Sequence, residues 1–310
     1  MYTVLSGGVG ASRFLQGLVQ VVPPRDVTVI SNTGDDVEMF GLYVAPDVDI
    51  VTYALAGAVN PATGWGLAGD TLAVVGALRR FGYPDWFNLG DIDLATCLHR
   101  TRLLREGMPY HAVTAEIAAA WNVEVRITPM TNERVTTRIF SADGEIPFQE
   151  YMVRLRGEAD VRQISFDGIE SAKPAPGVLQ AISDAGVVIF APSNPFVSVG
   201  PILAVPGISE ALASTRAKKV GVSPIIAGDV VKGPAARMLR SLGHEVSALA
   251  VAKIYAASLD AFVIYEQDRA LKPSIEALGL ECYVCDTMMS SDQRKAELAA
   301  DTLAAAGVRP

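Results

Sequence analysis

The sequence predicts an α/β protein with a Rossmann-like parallel sheet core and an inserted, partly helical subdomain. An apolar strand at Tyr2–Ser6, a helical stretch at Ala11–Val21 and a β-branched strand at Val27–Ser31 open the chain. This βαβ order predicts a parallel sheet. The pattern changes after residue 57, and alternating strand and helix patterns return after residue 170. These observations predict a core that is interrupted once.

The interruption is predicted to be a subdomain at residues 58–170, which leaves 1–57 and 171–310 to the core. Its helices are predicted at 67–81, 90–107 and 109–121. Its strands are predicted at Val123–Ile127, Arg134–Phe140 and Glu145–Gln149.

The second half of the core is predicted from short apolar runs, which are typical of buried parallel strands. These runs are Gly186–Phe190, Lys219–Ile226, Glu245–Val251 and Ala261–Tyr265. A last helix is predicted to run to about residue 306, capped by Ser290 or Ser291. Cys282 and Cys285 form a single C-x-x-C. A zinc ribbon needs a second pair, so we interpret both as small buried residues of a late strand.

Composition excludes several classes of function. The 310 residues are 50% hydrophobic, with mean hydropathy +0.29 and net charge −8. No uncharged apolar stretch reaches the roughly 18 residues of a membrane span, and no secretory signal pattern opens the chain. An acidic chain lacks the basic footprint of nucleic-acid binding. Three cysteines are too few for a disulfide framework. We expect a cytoplasmic protein that binds neither nucleic acid nor membrane.

The first candidate site is the glycine-rich stretch after the first strand. Gly7, Gly8, Val9 and Gly10 precede a helix whose first N–H groups can bind a phosphate. Arg13 stands where the dinucleotide fingerprint needs its third glycine, so an NAD-dependent dehydrogenase is excluded. The Gly-Lys-Ser/Thr of a P-loop is also missing. Anion binding and a tight structural turn both remain open.

A cluster of acids follows the second strand. Asn32 begins the stretch that ends in Asp35 and Asp36, and Asp47 and Asp49 follow nearby. Adjacent carboxylates without a neighbouring cation repel each other, and Mg²⁺ favours a few carboxylates plus phosphate oxygens. Asn, Gly and Asp also simply form turns. The position at the carboxyl end of a strand, beside the glycine loop, favours a metal site.

Two motifs in the inserted segment also have two interpretations. Trp65 lies between glycines and is either an exposed ring that stacks on a planar ligand or a packing anchor. Asp70 follows it as a hydrogen-bond acceptor. Asp91 has the position of a helix N-cap.

The loop after the strand at Gly186–Phe190 carries the last motif. Ser193 and Asn194 can hydrogen-bond a base or a ribose, Pro195 helps to fix the path of the loop, and Ser198 follows. Loops that a rigid scaffold positions, such as one directly after a buried strand, frequently carry binding residues. We interpret it as a nucleotide-binding loop.

Together these motifs resemble the CofD/FbiA family, the 2-phospho-L-lactate transferases of coenzyme F420 biosynthesis. The order and joint presence of the stretches are specific, although each alone is not. The matching stretches are Gly7–Gly10, Asn32–Asp36, Pro46–Asp49, Trp65–Gly66, Leu89–Asp91, Pro129–Asn132 with Met130, Phe148–Glu150, Pro192–Pro195, Gly200–Pro201 and Ser223–Ile225.

The resemblance implies a transferase. Such enzymes take a guanosine diphospho-activated lactate or enolpyruvyl compound, transfer the phospho-acid to the ribityl hydroxyl of the deazaflavin Fo, and release GMP. A hydroxyl attacks phosphorus, so alignment and charge neutralisation matter more than a covalent nucleophile. A homodimer is also implied. Phospholactyl, phosphoenolpyruvyl and phosphoglyceryl donors remain open, because such groups differ by only about 1–3 kcal/mol in binding.

The resemblance also implies roles for residues. Asp35, Asp36 and Asp49 would be catalytic, with Asp35 and Asp49 as the Mg²⁺ ligands. The glycine loop with Arg13 and Asn32 would bind the diphosphate. The loop from Ser193 to Ser198 would bind guanosine. Trp65 and neighbouring residues of the inserted segment would cover the deazaflavin. Asp70, Asp91 and Met130 are further predicted substrate contacts.

The chain departs from the family pattern at Ile92, where many relatives have Arg, and at Cys97, where many have His. The alternative function is that of gluconeogenesis-factor proteins, which resemble nucleotide-sugar-binding regulators. These typically have Gly-Gly-Ser-Ser after the paired Asp, whereas this chain has Val37–Gly41 there. Turnover with Fo distinguishes the two.

Overall fold

The structure is a computed structural model that describes residues 1–231 and 233–308. The strands are β1 (Tyr2–Ser6), β2 (Val27–Ser31), β3 (Val37–Met39), β4 (Leu42–Val44), β5 (Arg126–Pro129), β6 (Thr136–Ser141), β7 (Gly144–Pro147), β8 (Gln163–Asp167), β9 (Val187–Phe190), β10 (Lys218–Val222), β11 (Ile225–Ile226), β12 (Asp229–Val230), β13 (Ala261–Tyr265) and β14 (Glu281–Cys285).

The helices are α1 (Gly8–Val21), α2 (Pro46–Leu55), α3 (Ala73–Leu78), α4 (Asp91–Arg105), α5 (Tyr110–Ala120), α6 (Val178–Ser183), α7 (Gly200–Ala204), α8 (Ile208–Ser214), α9 (Ala235–Ser241), α10 (Ala248–Tyr255), α11 (Lys272–Glu276) and α12 (Asp292–Ala305). Shorter 3₁₀ and π turns lie at Pro24–Asp26, Arg79–Phe81, Glu150–Arg154, Ile169–Ser171, Pro195–Val199 and Glu266–Leu271.

Seven parallel strands form the main sheet, in the order β14-β13-β10-β9-β1-β2-β5. The first strand lies inside the sheet, between β9 and β2, and pairs in register with β2 from Tyr2 opposite Val27 to Ser6 opposite Ser31. This arrangement confirms the predicted Rossmann-like α/β core. All seven carboxyl ends lie at one edge, so the loops after β1, β2, β5 and β9 are neighbours there.

Helices cover both faces of the sheet. Val4 faces the layer of α1, α2 and α12, whereas Leu5 faces the layer of α6, α7, α8, α10 and α11. Successive side chains of a strand point to opposite faces, so continuous apolar strands supply two cores. Packing on both faces holds the sheet in place, and with it the carboxyl ends of the strands, where the candidate site lies.

The inserted segment is not separate from the sheet along its whole length. Residues 123–127 were predicted as a strand of the subdomain, but β5 at Arg126–Pro129 pairs with β2 as the edge strand of the main sheet. A sequence pattern identifies a strand without identifying its partner. The segment does carry its own antiparallel sheet, β7-β6-β8. The helix predicted at 67–81 is shorter, since α3 begins only at Ala73. The division at 58 and 170 stays a prediction.

One predicted core strand is wrong. Glu245–Val251 was predicted as a strand, but helix α10 begins at Ala248. The hydroxyl of Ser247 accepts a hydrogen bond from the Ala250 N–H at 3.1 Å and caps this helix. A short apolar run does not distinguish the two structures by itself. The capping prediction for the last helix is confirmed, because Ser291 caps α12 by accepting from the Arg294 N–H.

Among the described residues, no single helix is both long and apolar enough to cross a membrane. One pair of helical segments, Pro195–Ala204 and Ile208–Ser214, has the length and composition but is bent by 84°. Ile202 and Ile208 of this pair are buried in the core.

Candidate functional site

The loops after β1, β2 and β9 come together at the carboxyl edge of the sheet. The Ser193 hydroxyl donates to the carbonyl of Gly7 at 2.9 Å, so the β9 loop is tied to the glycine loop. The Asn32 N–H donates to the carbonyl of Ser6 at 2.9 Å and ties the β2 loop to the same place. A side chain on Gly10 would collide with the carbonyl of Pro192. Glycine is therefore required at position 10 by a close backbone approach.

Asp47, in the first turn of α2, lies against the glycine loop. Its Oδ2 accepts from Asn32 Nδ2 at 2.8 Å, and its carboxylate also accepts from the Gly8 N–H. A Cβ on Gly7 would lie 2.7 Å from that Oδ2. In this structure a protein carboxylate is thus one of the groups at the start of α1, where the sequence predicts phosphate binding.

Asp35 and Asp47 form what we call the uncompensated pair. Burial first, and then the charge of Asp47, raise the pKa of Asp35 well above its usual value. Burial raises the pKa of Asp47 to about 6, against the lowering effect of its hydrogen bonds from Asn32 and Gly8. Among the described residues, no cationic side chain forms a salt bridge with either acid. Asp35 does have neutral hydrogen-bond partners: the Asn32 side chain, and Thr137 Oγ1, which donates weakly at 3.3 Å. The pair therefore favours binding of a proton or an added cation.

Asp49 and Arg100 form what we call the compensated pair. Arg100, on α4, donates through Nη1 to Asp49 Oδ2 at 3.0 Å and through Nη2 to Asp49 Oδ1. The same Nη1 also donates to the carbonyl of Tyr43 at 3.3 Å. Burial alone would lower the pKa of Arg100, but the Asp49 carboxylate outweighs it and holds that pKa above the usual value. This bidentate pair neutralises the second acid of α2.

Asp36 lies next to the compensated pair. Its Oδ2 accepts from the hydroxyls of Tyr43 at 2.9 Å and Tyr110 at 2.8 Å. Its Oδ1 is buried and has no hydrogen-bond partner among the described residues. Burial raises the pKa of Asp36 well above the usual value, although both phenols oppose this. One carboxylate oxygen therefore remains available in a low-dielectric environment.

The two predicted Mg²⁺ ligands belong to different pairs. Asp35 lies in the uncompensated pair, whereas Asp49 is bound by Arg100. Asp93 and Cys97 lie near Asp49 with the spacing of a possible metal site. Both carboxylate oxygens of Asp49 already accept from the Arg100 guanidinium, so Arg100 supplies the positive charge in this group of three residues. Asp47, which the sequence placed in the acidic cluster, is the closer partner of Asp35.

Asp91, the first residue of α4, caps α3, and Asp70, in the loop before α3, caps α4. Asp91 was predicted as an N-cap, but Gly90 takes that position for α4. The Asp91 carboxylate instead accepts from the N–H groups of Ala73 and Val74, at the start of α3. The Asp70 carboxylate accepts from the N–H groups at the start of α4, including that of Ile92 at 2.9 Å. Both acids therefore stabilise helix starts.

Trp65 is half exposed. Exposure is what the interpretation of Trp65 as a stacking ring requires. Gly64 and Gly66 both have positive φ, which holds the ring at the surface of the inserted segment. Six further exposed large hydrophobic residues lie in the same stretch of chain: Leu72, Val74, Phe81, Tyr83, Ile92 and Leu98.

Several predicted substrate contacts are engaged within the protein. Asn194 Oδ1 accepts from the Phe196 and Val197 N–H groups and caps the π turn at Pro195–Val199, which includes Ser198. Arg13 donates to the carbonyl of Met289, beyond β14. The side chain of Met130 is fully buried in the core, and its role as a substrate contact stays a prediction. A pattern of matching residues does not separate core side chains from contacts.

Sequence reasoning missed Arg100, Tyr43, Tyr110 and Thr137. The sequence does contain a signal for Arg100, because this charged residue lies on the buried face of α4. Its neighbours on that face include Leu94, Cys97 and Thr101. A buried charged residue needs a buried partner. The tyrosines carry no local signal, since they meet Asp36 only through the fold.

A surface groove lies away from these carboxylates. It has a volume of about 780 Å³ and is lined by residues of β7 and the turn that follows it. Its acids Glu145 and Glu150 already pair with Arg138 and Arg154. The acids at the sheet edge, which are Asp35, Asp36, Asp47 and Asp49, do not line this groove.

Comparison with known proteins identifies the family. The model of the family described as 2-phospho-L-lactate transferase CofD matches residues 2–303. This chain belongs to the CofD family. It is 45% identical over 306 residues to a phosphoenolpyruvate transferase of Streptomyces griseus, covering 97% of this chain and 96% of that protein. It is 42% identical over 299 residues to a 2-phospho-L-lactate transferase of Methanothermobacter thermautotrophicus, covering 96% of each.

A solved structure shows the same fold. A UPF0052-family protein from Bacillus halodurans superposes with a TM-score of 0.61 at 18% identity, covering 96% of this chain and 97% of that one. Identity this low establishes a shared fold only. The predicted resemblance is therefore confirmed as CofD-family membership, and the family is one of transferases.

Proposed function

We propose that this CofD-family chain transfers a 2-phospholactyl or phosphoenolpyruvyl group from a guanosine diphospho-activated donor to the deazaflavin Fo and releases GMP, in coenzyme F420 biosynthesis. Family membership over residues 2–303 and the names of the relatives support the reaction class. None of these comparisons favours the gluconeogenesis-factor alternative. The observation that carries the proposal is the uncompensated pair beside the glycine loop, at the edge where parallel sheets bind ligands.

The residues present fit a magnesium ion. Asp35 and Asp47 are buried carboxylates that repel each other and have no cationic partner among the described residues. They would hold the ion, and Asp49 would not be required as a ligand because Arg100 neutralises it. Bound there, Mg²⁺ would supply positive charge to the carboxylates and to the diphosphate oxygens. Carboxylates plus phosphate oxygens are the ligands this ion prefers.

The other residues would position reactants and move a proton. The acceptor hydroxyl oxygen forms a bond to phosphorus, the bond from phosphorus to the GMP oxygen breaks, and the hydroxyl proton leaves. Asp36 would accept that proton at its unpartnered Oδ1, for which a raised pKa is suited. The tyrosines on its other oxygen would hold its orientation.

We assign each part of the substrates to one loop or segment around the site. The glycine loop would bind the diphosphate, and the backbone of the π turn at Pro195–Val199 would face the guanosine, since the Asn194 side chain caps that turn. The inserted segment with Trp65 would cover Fo. A homodimer and a cytoplasmic location stay predictions.

The test is turnover by the purified chain. Fo is supplied with the lactyl or the enolpyruvyl guanosine diphospho-donor, with Mg²⁺ or with EDTA, and GMP release and product mass are measured. We expect one GMP per phospho-acid conjugate, and no product in EDTA. Binding of nucleotide without any conjugate would favour the regulatory alternative and reject the transferase.

A further inference from the structure

We infer that Arg134 binds the carboxylate of the phospho-acid donor at the mouth of the site. The inference rests on the proposed function, since it assigns one group of that donor to one side chain. It is carried by the position of the loop between β5 and β6, by the exposure of Arg134, and by the lack of an ion-pair partner.

The loop from Met130 to Thr137 runs alongside the acidic loop after β2. At its start the Met130 N–H donates to the carbonyl of Ser31 at 2.8 Å, and at its end the Thr137 N–H donates to the carbonyl of Gly34 at 2.7 Å. Both ends are therefore fixed to the segment that carries Asp35 and Asp36. Arg134 lies in the middle of this loop.

The backbone of the loop is held firmly while the Arg134 side chain is exposed. Val135 is buried in the core, and Asn132 Oδ1 accepts from the His111 N–H at 2.9 Å. A Cβ on Gly168 would lie 2.5 Å from the carbonyl oxygen of Arg134, so the chain is closely packed there. The guanidinium is exposed and forms no salt bridge within residues 1–231 and 233–308. A fixed backbone thus presents a charge that is not neutralised.

Arg134 acts electrostatically on the acidic site. Burial first, and then Asp36, raise the pKa of Tyr43, and the positive charge of Arg134 opposes that rise. Tyr43 donates directly to Asp36. The guanidinium is therefore within electrostatic reach of Tyr43, which is a hydrogen-bond donor to the proposed proton acceptor Asp36.

The chemistry of the donor selects the group that Arg134 binds. The donor carries a carboxylate beside its phosphorus, and the site already holds Asp35, Asp36, Asp47 and Asp49. A further carboxylate would be repelled unless a cation met it. A guanidinium presents a planar fork that matches a carboxylate with two parallel hydrogen bonds. Nearby arginines are engaged, since Arg100 binds Asp49 and Arg138 binds Asp167.

The experiment compares Arg134→Met and Arg134→Lys with the wild type. KM for the donor, affinity for the donor without Fo, and affinity for GDP, which has no carboxylate, are measured. Arg126→Met is the matched control, because Arg126 is exposed and lies at the amino end of β5, at the opposite sheet edge. We expect Arg134→Met to raise the donor KM and Kd at least tenfold, with GDP affinity within twofold of wild type. Arg134→Lys keeps the charge without the fork and should lie between.

Three results would overturn the inference. Unchanged donor affinity in an active Arg134→Met would remove the contact. An equal loss of GDP affinity would assign Arg134 to the phosphates instead. An equal loss of donor affinity in Arg126→Met would show that the effect comes from the overall surface charge and not from a contact with Arg134. In each case an active wild type leaves the proposed function standing, whereas an inactive wild type rejects that function and this inference with it.

Discussion

Two acids of the same helix turn have opposite environments. Asp47 and Asp49 are two residues apart at the start of α2, and both are buried. Residues two apart on a helix do not share a face. Asp47 faces the glycine loop and Asp35, without a cation, whereas Asp49 faces Arg100. Asp47 therefore has no cationic partner among the described residues, whereas Arg100 neutralises Asp49.

The largest effect on stability is expected from a substitution that breaks the compensated pair. Arg100→Met leaves Asp49 buried without its cation, so the free energy of unfolding should fall by about 3–5 kcal/mol. Urea denaturation measures this. The double variant Arg100→Met, Asp49→Leu removes both charges and should recover most of the loss. A single variant that loses less than about 1 kcal/mol would show that the pair is not buried as described.

The uncompensated pair should respond in the opposite way. Asp35→Asn removes repulsion from Asp47, so we expect no loss of thermal stability. Its kcat should fall at least about a hundredfold, near 3 kcal/mol, the scale of one main electrostatic contact. Steady-state turnover with Mg²⁺ and a melting curve test both statements. Glu38→Gln changes an exposed acid on β3 and is the control. Full activity in Asp35→Asn would reject its role.

The effect of pH should sharpen the difference between the pairs. The pKa of Asp47 is raised from 3.8 to about 6 in the folded chain. Its stabilising contribution is thus fully present below pH 3.8 and is lost as pH rises through about 6. Mg²⁺ needs the deprotonated form, so it should raise Tm more at pH 7.5 than at pH 5.

For saturating Mg²⁺ at the higher pH, the Tm shift should be on the order of 5 °C. The shift should disappear in Asp35→Asn and persist in Glu38→Gln. Calorimetric scans at both pH values measure it. Equal Tm shifts at pH 5 and 7.5 would separate metal binding from the uncompensated pair.

The smallest expected effect concerns Trp65, which lies away from both pairs. Trp65→Ala should raise KM for Fo about three- to tenfold, because an aromatic stack contributes roughly 0.5–1.5 kcal/mol beyond burial. Tm should not change, since the ring is half exposed. Trp86→Ala is the comparison: Trp86 packs edge-on against Phe87, and its loss should lower Tm with KM unchanged. A fall in Tm with unchanged KM for Trp65→Ala would make Trp65 a packing anchor.

Local patterns predicted much of the fold. The opening βαβ unit, the strand at Gly186–Phe190 and the helix after Ser291 form where the sequence places them. The errors share a cause. The strand predicted at Val123–Ile127 was assigned to the inserted subdomain, but β5 at Arg126–Pro129 belongs to the main sheet. Residues 248–251 have an apolar pattern that fits either a strand or a helix. Pairing partners are set by contacts distant in sequence, which a local pattern does not contain.

By itself the sequence determined which carboxylates gather at the edge of the sheet, because parallel strands place the residues after them side by side. It did not determine their charge state. That was decided when α4 packed beside β4 and brought Arg100 to Asp49, 51 residues away along the chain. The same packing left Asp35 and Asp47 without a cation. The charge state of a buried acid depends on its neighbours in space. Only the tertiary structure therefore distinguished Asp49, which Arg100 neutralises, from Asp35 and Asp47.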